Sequence, residues 1–252
     1  MSVLTRRLDP LAIAAELDQN GFACIENAID PKWIEEAQSY VNGLVSEKGR
    51  RYFALTWPSR NKGTPPHTLG ADPDIQALMG ELARIGCPSA ATDEEIYTVL
   101  RVVAGASGEG KSLIYHYDKY VITALVPVFI PPGPKRKSGE LLIFPNKRRY
   151  RAFAWLNILE KAIVQSGWYR RRVTDKLPAD DSELDIKILK PGNLYFFWGY
   201  RTYHTNFPVS EDVVRATMLL HHGDPHPSSL LLKAWKAHQI KKESRILESV
   251  DA

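Results

Sequence analysis

Between Asp9 and Asn20 the apolar residues Leu11, Ile13, Ala14 and Leu17 recur at spacings of three and four, which predicts a helix opened by an Asp-Pro cap. The same Asp-Pro start precedes "WIEEAQSYVNGLVSEK" and "DIQALMGELARIG", so two more capped helices are expected, with "GFACIENA" as a strand between the first two. Residues 49–72 carry Gly, Pro, Arg and Thr without a period and read as a long irregular excursion that can close over a site as a lid. Beyond it, "EIYTVLRVVAG", "SLIYHYDKY", "VITALVPVFI" and "GELLIFPN" are short β-rich runs separated by turn residues. A segment of helical spacing, about 151–172, interrupts this series; "LDIKILK", "NLYFFWG" and "VVRATMLLHH" resume it, and "SSLLLKAWKAHQIKKESRILESV" closes the chain as an amphipathic helix.

Many short strands framed by helices predict a mainly β fold with flanking helices (α+β). The expected core is a double-stranded β-helix, a cupin-like jelly roll, over about residues 94–222. With 252 residues, 44% hydrophobic and 25% charged, the whole chain from 1 to 252 is expected to form one soluble domain. Two cysteines, Cys24 and Cys87, indicate neither a disulfide framework nor a cysteine zinc site, and with no secretory leader a cytoplasmic location is expected. The longest apolar run is short and broken by prolines, so no membrane span is expected. A net charge of +4 suggests no nucleic-acid partner without a recognisable binding module. The basic segments "PKRKSG", "NKRRYRAF" and "WYRRR" read as a solvated face or as a cationic rim for a carboxylated or phosphate-bearing small molecule, CoA- or carrier-linked. The C-terminal helix can pack on its own barrel or on a second subunit, which leaves oligomerisation open.

In "IYHYDKYV", His116 and Asp118 sit two positions apart, so on an extended chain their side chains emerge on one face. A hydrogen-bonded polar pair would be the ordinary explanation. His204, 88 positions later in "GYRTYHTNFP", offers a third ligand, and two histidines with one carboxylate make the facial triad of non-haem iron sites. Arg215 in the apolar run "VVRATMLL" needs a carboxylate partner, from the protein or from a ligand, and Thr217 shares its face. A dicarboxylic keto acid would chelate the metal at one end and meet Arg215 at the other. Trp198 lies close enough to His204 in sequence to be expected in the pocket lining, whereas Tyr117 is out of phase with the ligands and is expected to pack away from them. A second His-x-Asp, His222-Gly223-Asp224 in "HHGDPHP", is the competing metal site, and otherwise a polar loop or mouth.

Through His116-Tyr117-Asp118, distal His204, Arg215-x-Thr217, "GELLIFPN", "KPGNLYFFWG" and "NGFACIENAID", the chain resembles the Fe(II)- and 2-oxoglutarate-dependent dioxygenases, in particular their phytanoyl-CoA dioxygenase-like branch. Arg-x-Thr stands here where that family carries Arg-x-Ser. The resemblance implies that His116, Asp118 and His204 bind Fe(II), and that Arg215 with Thr217 binds the distal carboxylate of 2-oxoglutarate. It further implies that O2 is consumed, with succinate and CO2 released as a small molecule is hydroxylated at an unactivated carbon. Asp118 stands where related halogenases have a small residue, which favours hydroxylation. Desaturation or ring closure would use the same ligands. A cupin-like metal-binding protein without redox turnover, and a metal-dependent isomerase or epimerase, remain the alternatives.

Overall fold

The computed structural model describes residues 2–106, 112–150, 160, 163–164, 166–178 and 180–227. Three Asp-Pro caps start helices where expected: α1 (Pro10–Asn20), α2 (Pro31–Lys48) and α4 (Pro73–Gly86), with Asp9, Asp30 and Asp72 accepting from backbone amides of the first turn. A short α3 (Pro65–Gly70) precedes α4, and α5 (Gly167–Asp175) occupies the described end of the expected insertion. Most of that insertion, and all of the expected C-terminal helix, lie outside the described residues.

Among the described residues, nine strands form two antiparallel sheets. The larger has the order β1 (Ala23–Ile25), β7 (Leu194–Phe197), β4 (Ile122–Phe129), β9 (Val214–His222), β3 (Tyr97–Ala104), β2 (Phe53–Thr56). The smaller has β6 (Ile186–Lys187), β5 (Leu141–Phe144) and β8 (Tyr203–Asn206). Alternation along the strands divides the core between layers. Leu100, Val102, Ala124, Val126, Phe196, Ala216, Met218 and Leu220 face the helices and pack with Leu17, Trp33, Ile75 and Leu82. The opposite face of the large sheet supplies Leu125, Tyr195 and Phe197, which meet Leu141 and Ile143 of the small sheet. Tyr115, Leu142 and Tyr203 cover the small sheet's outer side together with Tyr169 and Val173 of α5. The sheets thus enclose a middle layer, and the site forms there.

Three expectations need correction. The run "SLIYHYDKY" is not a strand: among the described residues one isolated bridge, His116 to His204, is its only ladder contact. The segment around His204, assigned to none of the expected strands, is itself β8, paired with β5 with His204 opposite Ile143. The stretch 49–72 is ordered, since β2 extends the large sheet beside β3, and a 3₁₀ turn (Pro58–Arg60) and α3 follow.

Candidate metal centre

β8 and the bridge to it bring His116, Asp118 and His204 together across the middle layer. One donor atom from each lies within 4.8 Å of the others, and among the described residues this is the one such group of three or more metal-binding side chains. His116 Nε2 is 3.6 Å, and His204 Nε2 3.8 Å, from Asp118 Oδ1. Each imidazole is fixed from behind, with Nδ1 2.9 Å from the Ile114 carbonyl and 3.1 Å from the Thr202 carbonyl. A carbonyl only accepts, so both Nδ1 atoms carry the proton and both Nε2 lone pairs turn toward Asp118. This tautomer suits metal ligation.

Asp118 is held at both ends. Its amide donates to the Gly199 carbonyl at 2.9 Å, and its Oδ2 accepts from Thr123 Oγ1 at 2.6 Å, leaving Oδ1 facing the imidazoles. A Cβ on Gly199 would meet Thr123 Oγ1 at 2.4 Å and Asp118 Oδ2 at 3.0 Å, so only glycine lets the backbone pass here. Side-chain exposure is 34% for His116 against 10% for Asp118 and 7% for His204, which places the opening of the centre at His116.

Burial pushes the His116 imidazole down to about 4, helped by His204 and opposed by Asp118. For Asp118, burial acts to raise the pKa, but His204, His221, His116 and the Thr123 hydroxyl together outweigh it and hold the carboxyl below its ordinary value. A neutral His116 imidazole beside an ionised Asp118 carboxylate is the combination that a divalent cation needs.

Arg215 and Thr217 face the same middle layer from β9. Arg215 is 3% exposed, and its Nε has no hydrogen-bond partner among the described residues; the Thr217 hydroxyl is likewise buried and unpartnered. Burial and repulsion by Arg101 push the guanidinium down to about 9 against the attraction of Glu140. Glu140 does not neutralise it by contact, because its two oxygens accept from the Arg136 and Ser138 amides. Gly139, at φ +73°, lies so close that a Cβ would stand 2.3 Å from Arg215 Cδ. A buried cation with an orphaned donor beside an orphaned hydroxyl is a ready receptor for a carboxylate.

The remaining expected residues fall elsewhere. Trp198 does not line this layer: it is fully buried among the helix-facing residues, against Gly86, with Nε1 donating to Asp18 at 2.9 Å. Tyr117 packs toward Tyr203, with the two rings 5.1 Å apart. Two arginines of the expected cationic rim turn inward. Arg136 bonds Asp181 and the Pro178 carbonyl, while Arg148 pairs with Glu160 and the Tyr200 carbonyl between the rings of Tyr117 and Tyr200. In "HHGDPH", His221 and His222 end β9 and are buried rather than lying in a polar loop. His221 joins the centre: its Nδ1 is 3.0 Å from Thr123 Oγ1 and 3.7 Å from Asp118 Oδ2. Counting by twos from Arg215 along β9 gives 217, 219 and 221, a signal in the sequence that puts His221 on this face.

No protein-family model and no curated protein sequence matches the chain. Solved structures do. The carbocyclase SnoK from nogalamycin biosynthesis, described as non-heme and alpha ketoglutarate dependent, superposes with a TM-score of 0.59 at 13% identity, over 89% of this chain and 87% of its own. The fold is shared with alpha-ketoglutarate-dependent, non-heme enzymes. The epimerase SnoN, solved with Fe3+, alpha ketoglutarate and nogalamycin RO, matches with a TM-score of 0.52 at 14% identity, over 86% of this chain and 85% of its own. A prolyl hydroxylase from Trichoplax adhaerens, solved with a hypoxia inducible factor peptide, matches with a TM-score of 0.56 at 16% identity, over 87% of this chain and 92% of its own. The six-stranded and three-stranded antiparallel sheets with flanking helices agree with the expected α+β class.

Proposed function

We propose that the protein is an Fe(II)- and 2-oxoglutarate-dependent oxygenase built on a jelly-roll core, hydroxylating an unactivated carbon of a small molecule. The observation that carries this reading is that one layer holds both halves of the required receptor. Nε2 of His116, Oδ1 of Asp118 and Nε2 of His204 converge at one place, and Arg215 and Thr217, whose Nε and hydroxyl have no hydrogen-bond partner among the described residues, face in from β9. Both imidazole Nε2 atoms lie within 4 Å of Asp118 Oδ1, so the three donors could converge on one divalent cation.

His116, Asp118 and His204 would hold the metal, and Arg215 with Thr217 the distal carboxylate of 2-oxoglutarate. Ferrous iron, 2-oxoglutarate and O2 together supply the oxidising power and, in hydroxylation, the oxygen atom, with succinate and CO2 as coproducts. The chain's own residues orient and exclude. Asp118 neutralises one charge of the cation, the carbonyls of Ile114 and Thr202 keep the imidazoles in the ligating tautomer, and Phe197, whose ring lies 4.7 Å from that of His204, walls one side with apolar surface. The more open His116 side is where substrate would approach. The order and spacing of the motifs favour the phytanoyl-CoA dioxygenase-like branch. The carbocyclase and epimerase among the neighbours support a second outcome, in which the same machinery abstracts hydrogen and closes or inverts a centre instead of adding oxygen.

Anaerobic titration of the Fe(II)-loaded protein with 2-oxoglutarate tests this without knowledge of the substrate. A weak visible absorption should grow in, vanish in Asp118→Ala, and need roughly 10- to 100-fold more 2-oxoglutarate in Arg215→Leu, the loss expected for one charge-assisted contact of about 1.5–3 kcal/mol. Bound iron with no such absorption would sink the proposal in favour of a redox-silent metal-binding protein.

A further inference from the structure

Asp118 presents one oxygen to the imidazoles and keeps the other for Thr123, and the hydrogen bonds beyond Thr123 run in one direction only. Thr123 has a single hydroxyl proton. An ionised carboxylate can only accept, so that proton is committed to Asp118 Oδ2 at 2.6 Å. The contact of 3.0 Å between Thr123 Oγ1 and His221 Nδ1 must then be donated by the histidine. His221 is therefore the Nδ1-H tautomer. Its ring is set by stacking against Tyr97 and Tyr120, with centroids at 5.8 and 5.7 Å. β-ladder register places Thr123 and His221 directly opposite each other, which makes the link a property of the sheet.

We propose that His221, acting through Thr123, is a positioning residue that ties down Asp118 Oδ2, so that Asp118 ligates a divalent cation through Oδ1 alone and the remaining coordination positions stay open. This inference rests on the reading that His116, Asp118 and His204 bind metal. A free carboxylate could rotate to bidentate binding and occupy a position needed by co-substrate. Thr123 and His221 oppose that rotation by giving Oδ2 a donor that has its own donor. Outer hydrogen bonds of this kind typically hold 10- to 100-fold of metal affinity.

The test is a Mn(II) titration of the apoprotein followed by the electron paramagnetic resonance of the free ion, which requires no turnover. Wild type is compared with Thr123→Val, Thr123→Ser, His221→Phe and the double variant Thr123→Val/His221→Phe. Phenylalanine keeps a ring against Tyr97 and Tyr120, and valine is isosteric with threonine, so each variant cuts the link from one side while preserving packing. Both are expected to bind Mn(II) about 10- to 100-fold more weakly, with Thr123→Ser near wild type. The double variant should bind no worse than Thr123→Val, because the two side chains act in series. Wild-type affinity in His221→Phe, or losses that multiply in the double variant, would overturn the relay while leaving the metal centre standing. Failure of wild type itself to bind Mn(II) would overturn the metal-centre reading and this inference with it.

Discussion

Gly199 contributes no side chain, yet its neighbourhood depends on having none. Its carbonyl anchors the Asp118 amide, and the place where a Cβ would sit is taken by the Thr123 hydroxyl and the Asp118 carboxylate. Gly199→Ala must therefore push Thr123 off Oδ2 or move the backbone that carries Asp118. We expect divalent-metal affinity to fall by roughly tenfold or more with the helices intact. Equilibrium dialysis beside a far-ultraviolet circular dichroism spectrum would check this, and an alanine variant with wild-type affinity would show that the contact is slack. Arg215 is the complementary case, since its surroundings offer Glu140 only at a distance and occupy that carboxylate with backbone amides.

Among elements, the helix starts differ in how much hangs on them. Asp9 is exposed and caps α1 alone, accepting from Leu11 and Ala12. Asp72 is buried, caps α4 through the amides of Asp74 and Ile75, and also accepts from the Val3 amide and the Ser2 hydroxyl. Asp9→Ala should cost about 1 kcal/mol. Asp72→Ala should cost about 2–3 kcal/mol, because it also strands a buried amide and frees the N-terminal segment. Urea midpoints decide between these values, and equal losses would mean that the Val3 contact adds nothing.

The elements also show what could be read from the chain. Asp-Pro caps and apolar period announced α1, α2 and α4, and the spacing singled out His116, Asp118 and His204, whose donor atoms the fold brings within 4.8 Å of one another. β8 escaped because Tyr-His-Thr-Asn has no apolar alternation. β2 escaped because it is short and half-exposed at the edge of its sheet. The aromatic richness of "SLIYHYDKY" imitated a strand, whereas its amides at His116 and Asp118 reach two different partners, His204 and Gly199. Trp198 was placed by its nearness to His204 in sequence, but strand alternation sends it to the helical side. Gly199 left no trace in the pattern, because its role is a distance between backbone and side chains far apart along the chain.

For the whole molecule, pH dependence follows from histidines that the fold keeps neutral. His116, His221, His222 and His226 are all held below their ordinary value, in each case first by burial. Below a pH of about 6.5 the unfolded chain binds protons at these positions that the folded apoprotein refuses, so stability is complete above that value and declines as pH falls toward the lower folded values. The urea midpoint of the metal-free protein should drop between about pH 7.5 and about pH 5, with part of the drop recovered by Mn(II), which binds only the deprotonated ligands. A midpoint that is flat across this interval would mean that these imidazoles take up protons without disturbing the fold. Among the described residues no helix is long and apolar enough to cross a membrane.

One property of β9 reaches beyond the chemistry. Its odd positions, Arg215, Thr217, Leu219 and His221, look into the layer between the sheets, while Ala216, Met218 and Leu220 pack on the helices. Sliding this strand by one residue against β3 and β4 would exchange the two sets at once, thrusting a guanidinium and an imidazole into hydrocarbon. An unpaired charge there costs several kcal/mol, a large fraction of a typical domain's stability. The groups that would receive a carboxylate and steady a metal ligand therefore also act as a proofreading device for strand alignment, penalising misthreaded chains before any ligand arrives.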